Sequence, residues 1–152
     1  GTAAESHSAA VERLYGRGFR TFLSGMAVGF DLAAAEAVLT LRAAHPDVRL
    51  VAVVHFRGQE ERFSPADRVR FRRAVAAADE VEVLAGGYRR GCYAVRNDFL
   101  VDRAALVVAW YDGSPGGTRY TLRRALARGR EVWNLHPSGG GLAIRPVQPA
   151  LF

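Results

Sequence analysis

The sequence contains no lysine: all 21 of its basic residues are arginine. That excludes a Walker-type phosphate loop, a Schiff base and a lysine general base. Cysteine is nearly absent as well. Cys92 stands alone and cannot form an internal disulfide, which fits a reducing compartment. No apolar run approaches the roughly 20 residues that span a bilayer. The opening stretch from Gly1 to His7 lacks the basic and apolar regions of a signal peptide. The expectations are a cytoplasmic protein and no membrane. His7, His45, His55 and His136 are scattered. With one cysteine they offer no zinc-site spacing, so no metal site is expected.

What is present describes a globular protein. A chain of 152 residues fits one domain with a real core. Its apolar fraction of 49% argues against disorder. The formal net charge is +6, and arginine offers a planar fork suited to phosphate. The arginines are scattered, however, and arginine-rich coding explains them as readily. A weak attraction to polyanions, nucleic acid included, is expected either way.

Helices alternate with short apolar strands along the chain. Residues 4–16, 31–44, 65–78, 91–103 and 117–128 read as helices, and 20–24, 48–56, 81–84, 105–111 and 131–135 as strands. Ser64 and Pro65 supply an N-cap and a first helical position. The unbroken apolar run from Val48 to Phe56 suits a strand covered on both faces. Strict alternation implies a Rossmann-like, three-layer α/β/α domain over residues 1–136, with a mainly parallel sheet of about five strands. Residues 137–152 read as an irregular tail. In such sheets a ligand sits beyond the strands' carboxyl ends.

Four segments occupy those ends. Ser24-Gly25-Met26-Ala27-Val28-Gly29-Phe30-Asp31 leads from a strand into a helix. Its glycines allow close backbone approach, and the helix N-terminus favours phosphate. A plain turn would need glycine too, and Asp31 reads as the helix N-cap rather than a catalyst. Glu36, one turn on, either faces the site as an acid or base or is solvated. His55-Phe56-Arg57-Gly58-Gln59 offers a proton donor or a structural histidine at His55, with Arg57 or Gln59 as ligand contacts. The helix after Gly86-Gly87 carries Arg96-Asn97, with Val95, Phe99 and Asp102 on one side. Arg96 and Asn97 either hold a ligand or belong to a surface with an internal Arg–Asp pair. Tyr111-Asp112-Gly113-Ser114-Pro115-Gly116-Gly117-Thr118 opens the next helix and can cradle a phosphate on backbone N–H groups. Asp31, Glu36, Asp102 and Asp112 are the carboxylates available to a magnesium ion brought by a phosphorylated ligand.

In their order and spacing these motifs resemble the YpsA-like branch of the SLOG superfamily, which unites the DNA-uptake protein DprA (Smf) with the LOG cytokinin-activating enzymes. The residues carrying the resemblance are Ser24-Gly25, Gly29, Asp31, Ala35-Glu36, Arg96-Asn97, Val101-Asp102, Tyr111-Asp112-Gly113 and Gly116-Gly117-Thr118. It extends over about residues 10–136. It implies a Rossmann-like fold that binds nucleotides or nucleic acid. LOG-like enzymes hold phosphate on a Gly-Gly-x-Gly-Thr loop and use an arginine and a glutamate to cleave a base from a nucleoside monophosphate. Here Gly116-Gly117-Thr118 matches a shortened form, and Arg119, Tyr120, Thr121 and Leu122 follow it with no glutamate. Arg96-Asn97 is similar to a pair in DprA, which binds single-stranded DNA. YpsA-like proteins also open with a strand ahead of the first helix, whereas this sequence opens close to that helix. Either that strand is absent from the protein or its residues lie outside this sequence; only in the first case is a central edge bared, which a second copy of the chain could cover.

Three functions follow as expectations. The first is a sensor domain binding a nucleotide or nucleotide-derived ligand through Ser24, Gly25, Gly29, Asp31, Arg57, Arg96, Asn97, Asp112, Gly116, Gly117 and Thr118. The second is a LOG-like nucleoside-phosphate N-glycosidase with Glu36 as its catalytic residue. The third is DprA-like binding of single-stranded nucleic acid.

Overall fold

The computed structural model describes residues 3–137. The proposed tail beyond Pro137 lies outside them. The chain divides into two compact units, 1–92 and 93–152. Among the described residues no helix is long and apolar enough to cross a membrane.

The first unit runs α1 (Ala3–Gly16), β1 (Thr21–Ser24), α2 (Phe30–Ala44), β2 (Arg49–Val54), α3 (Pro65–Ala77) and β3 (Glu80–Val83). A short 3-10 turn, Gln59–Arg62, precedes α3. The strands form one parallel sheet in the order β1-β2-β3. β2 is its centre, which is why its apolar run is unbroken: Leu50 to Val54 are all buried. Leu50, Ala52 and Val54 alternate onto one face and join Leu32, Ala35 and Val38 of α2 in the core. α2 packs against α1, α3, β1 and β2, so its alanine-rich sequence allows close approach on several sides. Ser64 caps α3 as expected, its Oγ accepting from the Asp67 N–H at 3.2 Å. Asp79 closes the amino end of the sheet: its carboxylate takes the Leu50 N–H and the Arg42 guanidinium, each at 2.7 Å. β3 is an edge strand, with Glu80 and Glu82 alternating with exposed Val81 and Val83.

The second unit contains α4 (Cys92–Arg103, beginning at the boundary), β4 (Leu106–Ala109), α5 (Gly117–Ala127) and β5 (Glu131–Asn134). β4 and β5 pair in parallel, and α5 packs on both. Leu122 and Ala125 of α5 meet Val101, Ala109, Tyr111 and Val132 in a small core.

The architecture is mixed α/β and Rossmann-like, with the five parallel strands that alternation predicts. The single sheet is corrected: the strands form two sheets, of three and two. β1 pairs only with β2 and β4 only with β5, so neither short strand has a second ladder among the described residues.

Candidate functional site

In the first unit the three carboxyl ends are stitched together. Ser24 is buried, and its Oγ donates to the Asp31 carbonyl at 2.9 Å while accepting the Met26 N–H at 3.2 Å. Met26 is fully buried with φ near 60°, a left-handed conformation that a side chain resists. Two partners hold it there, Ser24 on its N–H and Gln59 on its carbonyl at 3.2 Å. The far end of the Gln59 amide accepts from the His55 N–H at 3.1 Å and meets His55 Nδ1 at 2.6 Å. Because that oxygen is an acceptor, Nδ1 carries the proton. His55 and Gln59 thus shape the loop after β1 from within the core.

Gly29, at φ 93°, is the N-cap of α2. This corrects the reading of Asp31 as the cap: Asp31 lies inside the first turn, where its carboxylate complements the helix dipole. The positive φ decides the matter, since glycine adopts it without strain. Arg57 is exposed, and its backbone N–H bonds the Ala85 carbonyl at 2.9 Å, joining the ends of β2 and β3. Glu36 is half-exposed and gripped by Arg70 of α3, whose Nε lies 3.2 and 3.1 Å from its two oxygens. Asp67 takes the same guanidinium.

In the second unit the buried face of α4 is polar. Arg96 and Asn97 are both buried, whereas Val95 is 59% exposed. Val95 therefore points to solvent, and α4 turns Arg96, Asn97 and Val101 inward. The Arg96 Nε–H donates to Asn97 Oδ1 at 2.7 Å. With its oxygen so engaged, Asn97 keeps its amide Nδ2 for the start of α5. A Cβ added at Gly117 would lie 3.9 Å from that nitrogen. Asp98 and Asp102 of α4 bind α5, through Tyr120 at 2.8 Å and Arg124 at 3.2 Å. The hydrogen bond from Arg124 holds the Asp102 carboxyl below its usual range. The bond to Asp98 pushes the Tyr120 hydroxyl up.

The loop opening α5 is exposed and built on backbone geometry. Asp112 Oδ1 accepts the Ser114 N–H at 2.9 Å and the Ser114 hydroxyl, an Asx turn that holds its carboxyl below the usual range. Gly116 caps α5 at φ 144°, with no side-chain bond to the helix N-terminus. The first-turn N–H groups, those of Gly117 and Thr118 among them, have no intrahelical acceptor in any α-helix. Thr118 is exposed beside them. Behind the loop, Asn134 accepts the Tyr111 N–H and donates to the Tyr111 carbonyl, both at 3.0 Å.

The carboxylates considered for magnesium are mostly committed elsewhere: Glu36 to Arg70, Asp102 to Arg124 and Asp112 to Ser114. Among the described residues no three His, Cys, Asp or Glu side chains gather.

The profile of the YspA SLOG family (YpsA) matches residues 5–134. The chain belongs to that family. This YspA SLOG member is 30% identical over 130 residues to the uncharacterised SPbeta prophage-derived protein YoqJ of Bacillus subtilis, a match covering 76% of each chain. It is 31% identical over 114 residues to a UPF0398 protein of Halalkalibacterium halodurans, and 27% over 112 residues to one of Bacillus cereus. Those matches cover 73% and 72% of this chain, and the SLOG member spans 60% of the length of each UPF0398 protein.

Two positioning residues of this SLOG domain are not apparent as such in the sequence: Gln59 reads there as a ligand contact, and Asn134 carries no motif. Gln59 has one legible signal, an amide four residues after His55 at a strand end; Asn134 has none.

Proposed function

We propose that the chain binds a nucleotide or nucleotide-derived ligand and acts as a sensor, taking the phosphate on the loop Gly116-Gly117-Thr118. The observation that carries this reading is the Arg96–Asn97–Gly117 relay. A buried arginine fixes the Asn97 amide so that an N–H donor faces the start of α5. Helix N–H groups, helix dipole and that amide all favour an anion at one place. The family membership supports the same ligand class.

Binding rather than base cleavage is favoured by two features. No carboxylate follows Thr118 in the first turn of α5. Glu36 is gripped by Arg70 of α3, whose Nε bonds both of its carboxylate oxygens.

The test is a thermal-shift panel of nucleoside mono-, di- and triphosphates, with and without magnesium. A ligand at 100 times its Kd stabilises the native state by about 2.7 kcal/mol. A panel in which nothing raises the melting temperature overturns the proposal. Base released from a nucleoside monophosphate, and lost in Glu36→Gln, replaces it with the glycosidase.

A further inference from the structure

At the carboxyl ends of β2 and β3 the first unit carries a ladder of rings. His55 and Phe56 lie 5.7 Å apart between centroids, and Phe56 meets Tyr88 edge-on, also at 5.7 Å. The ladder runs from the core outward, with His55 buried and Tyr88 68% exposed. An edge-on neighbour on one side leaves most of the Tyr88 ring to solvent. Its hydroxyl has no hydrogen-bond partner among the described residues, and Phe56 is the ring it meets.

Three arginines attend the ladder. Arg57 follows Phe56, and Arg89 and Arg90 follow Tyr88. The backbone places them: Arg57 N–H bonds Ala85, and the Cys92 N–H bonds the Arg89 carbonyl at 3.0 Å, closing the turn. All three are exposed and none has a carboxylate partner among the described residues. Arg20, Arg42, Arg70, Arg72, Arg124 and Arg128, by contrast, are each paired with one. The sequence supplies no acid in 84–91 or 55–59. A Cβ built on Gly86 or Gly87 would meet nothing within 4 Å.

We propose that Tyr88, backed by Phe56, is a stacking platform for a nucleobase, with Arg57, Arg89 and Arg90 taking the phosphates of the same ligand. An exposed aromatic face beside uncompensated guanidinium groups matches the two halves of a nucleotide: a flat apolar base and a polyanionic backbone. The platform needs nothing from Gly116-Gly117-Thr118 and stands or falls apart from the phosphate loop.

The experiment measures fluorescence anisotropy with a short labelled oligothymidylate, an abasic strand of equal length, and thymidine monophosphate as competitor. Tyr88→Ala should weaken the oligothymidylate about tenfold or more and leave the abasic strand unchanged. Tyr88→Trp should restore the loss. Three arginine–phosphate contacts predict a slope near −2 in log K against log salt, at roughly −0.7 per contact. Replacing all three arginines by glutamine should flatten it. Affinity rising with strand length identifies a single strand as the source of the base. Equal Tyr88-dependent affinity for the monophosphate identifies a free nucleotide. Equal affinity for the thymidylate and abasic strands, or a Tyr88→Ala variant of unchanged melting temperature that binds as the wild type does, overturns the proposal. The oligothymidylate titration reads the platform through Tyr88 and the thermal-shift panel reads the phosphate loop, so failure of either shows separately.

Discussion

The Gln59 side-chain amide donates to the Met26 carbonyl at 3.2 Å across 33 residues of sequence. The same amide is anchored on His55, so one side chain couples a strained left-handed residue to the end of the central strand. Gln59→Ala should therefore cost about 1–3 kcal/mol, because buried groups at His55 and Met26 lose their partner. Gln59→Glu should do no better, since a carboxylate replaces the donor facing two carbonyls. Urea unfolding measures both. A loss under about 0.5 kcal/mol for Gln59→Ala would show that the clamp is not needed.

Neighbouring glycines should respond in opposite ways. Gly116 has φ 144°, where a side chain costs roughly 1–3 kcal/mol. Gly117 has ordinary backbone and ordinary van der Waals room for a methyl. Gly117→Ala should keep the fold, and gain up to about 1 kcal/mol of helix propensity. It should still weaken nucleotide binding by about tenfold, because the methyl sits against the Asn97 amide. Paired melting and titration experiments check the contrast.

Glu36→Gln separates binding from catalysis. The Glu36–Arg70 pair is half-exposed, and such pairs contribute about 0–1 kcal/mol. The variant should melt near the wild type and bind the same nucleotide. A binding protein shows no other change; a glycosidase loses turnover.

Asp79 should govern part of the acid response. The Leu50 N–H, and after it the Arg42 guanidinium, hold its carboxyl below the usual range. A depressed folded-state pKa stabilises the protein above the unfolded value, about 3.9. That stability is lost as pH falls through the lower folded value. Wild-type stability should therefore drop below about pH 4 more steeply than that of Asp79→Asn. Denaturant unfolding between pH 2.5 and 6 tests it, and parallel profiles would refute it.

Most elements were legible because their signals are local. Ser64-Pro65 starts α3, His45-Pro46 stops α2, and the run around β2 announces a strand buried on both faces. The Gly116-Gly117-Thr118 loop was equally plain, since a helix begins there whatever surrounds it. What escaped depends on contacts distant in sequence. Periodicity puts Val95, Phe99 and Asp102 on one side of α4 but does not say which side is buried, and packing selected Arg96 and Asn97. Spacing could not reveal that Gln59 reaches back to Met26, nor that the Asn97 amide would face Gly117. The division of the strands into two sheets rests on which edges find partners, and no single strand's composition carries that information.

β3 has one further consequence, for solubility. A bare strand edge is a template on which identical molecules can stack into fibres. Here the edge strand bears Glu80 and Glu82 on alternate positions. Two copies meeting edge to edge would bring like charges together and repel, even with Val81 and Val83 exposed. Concentrated solutions should stay clear for that reason, and Glu80→Val with Glu82→Val should turn the same edge into a nucleus for fibrils.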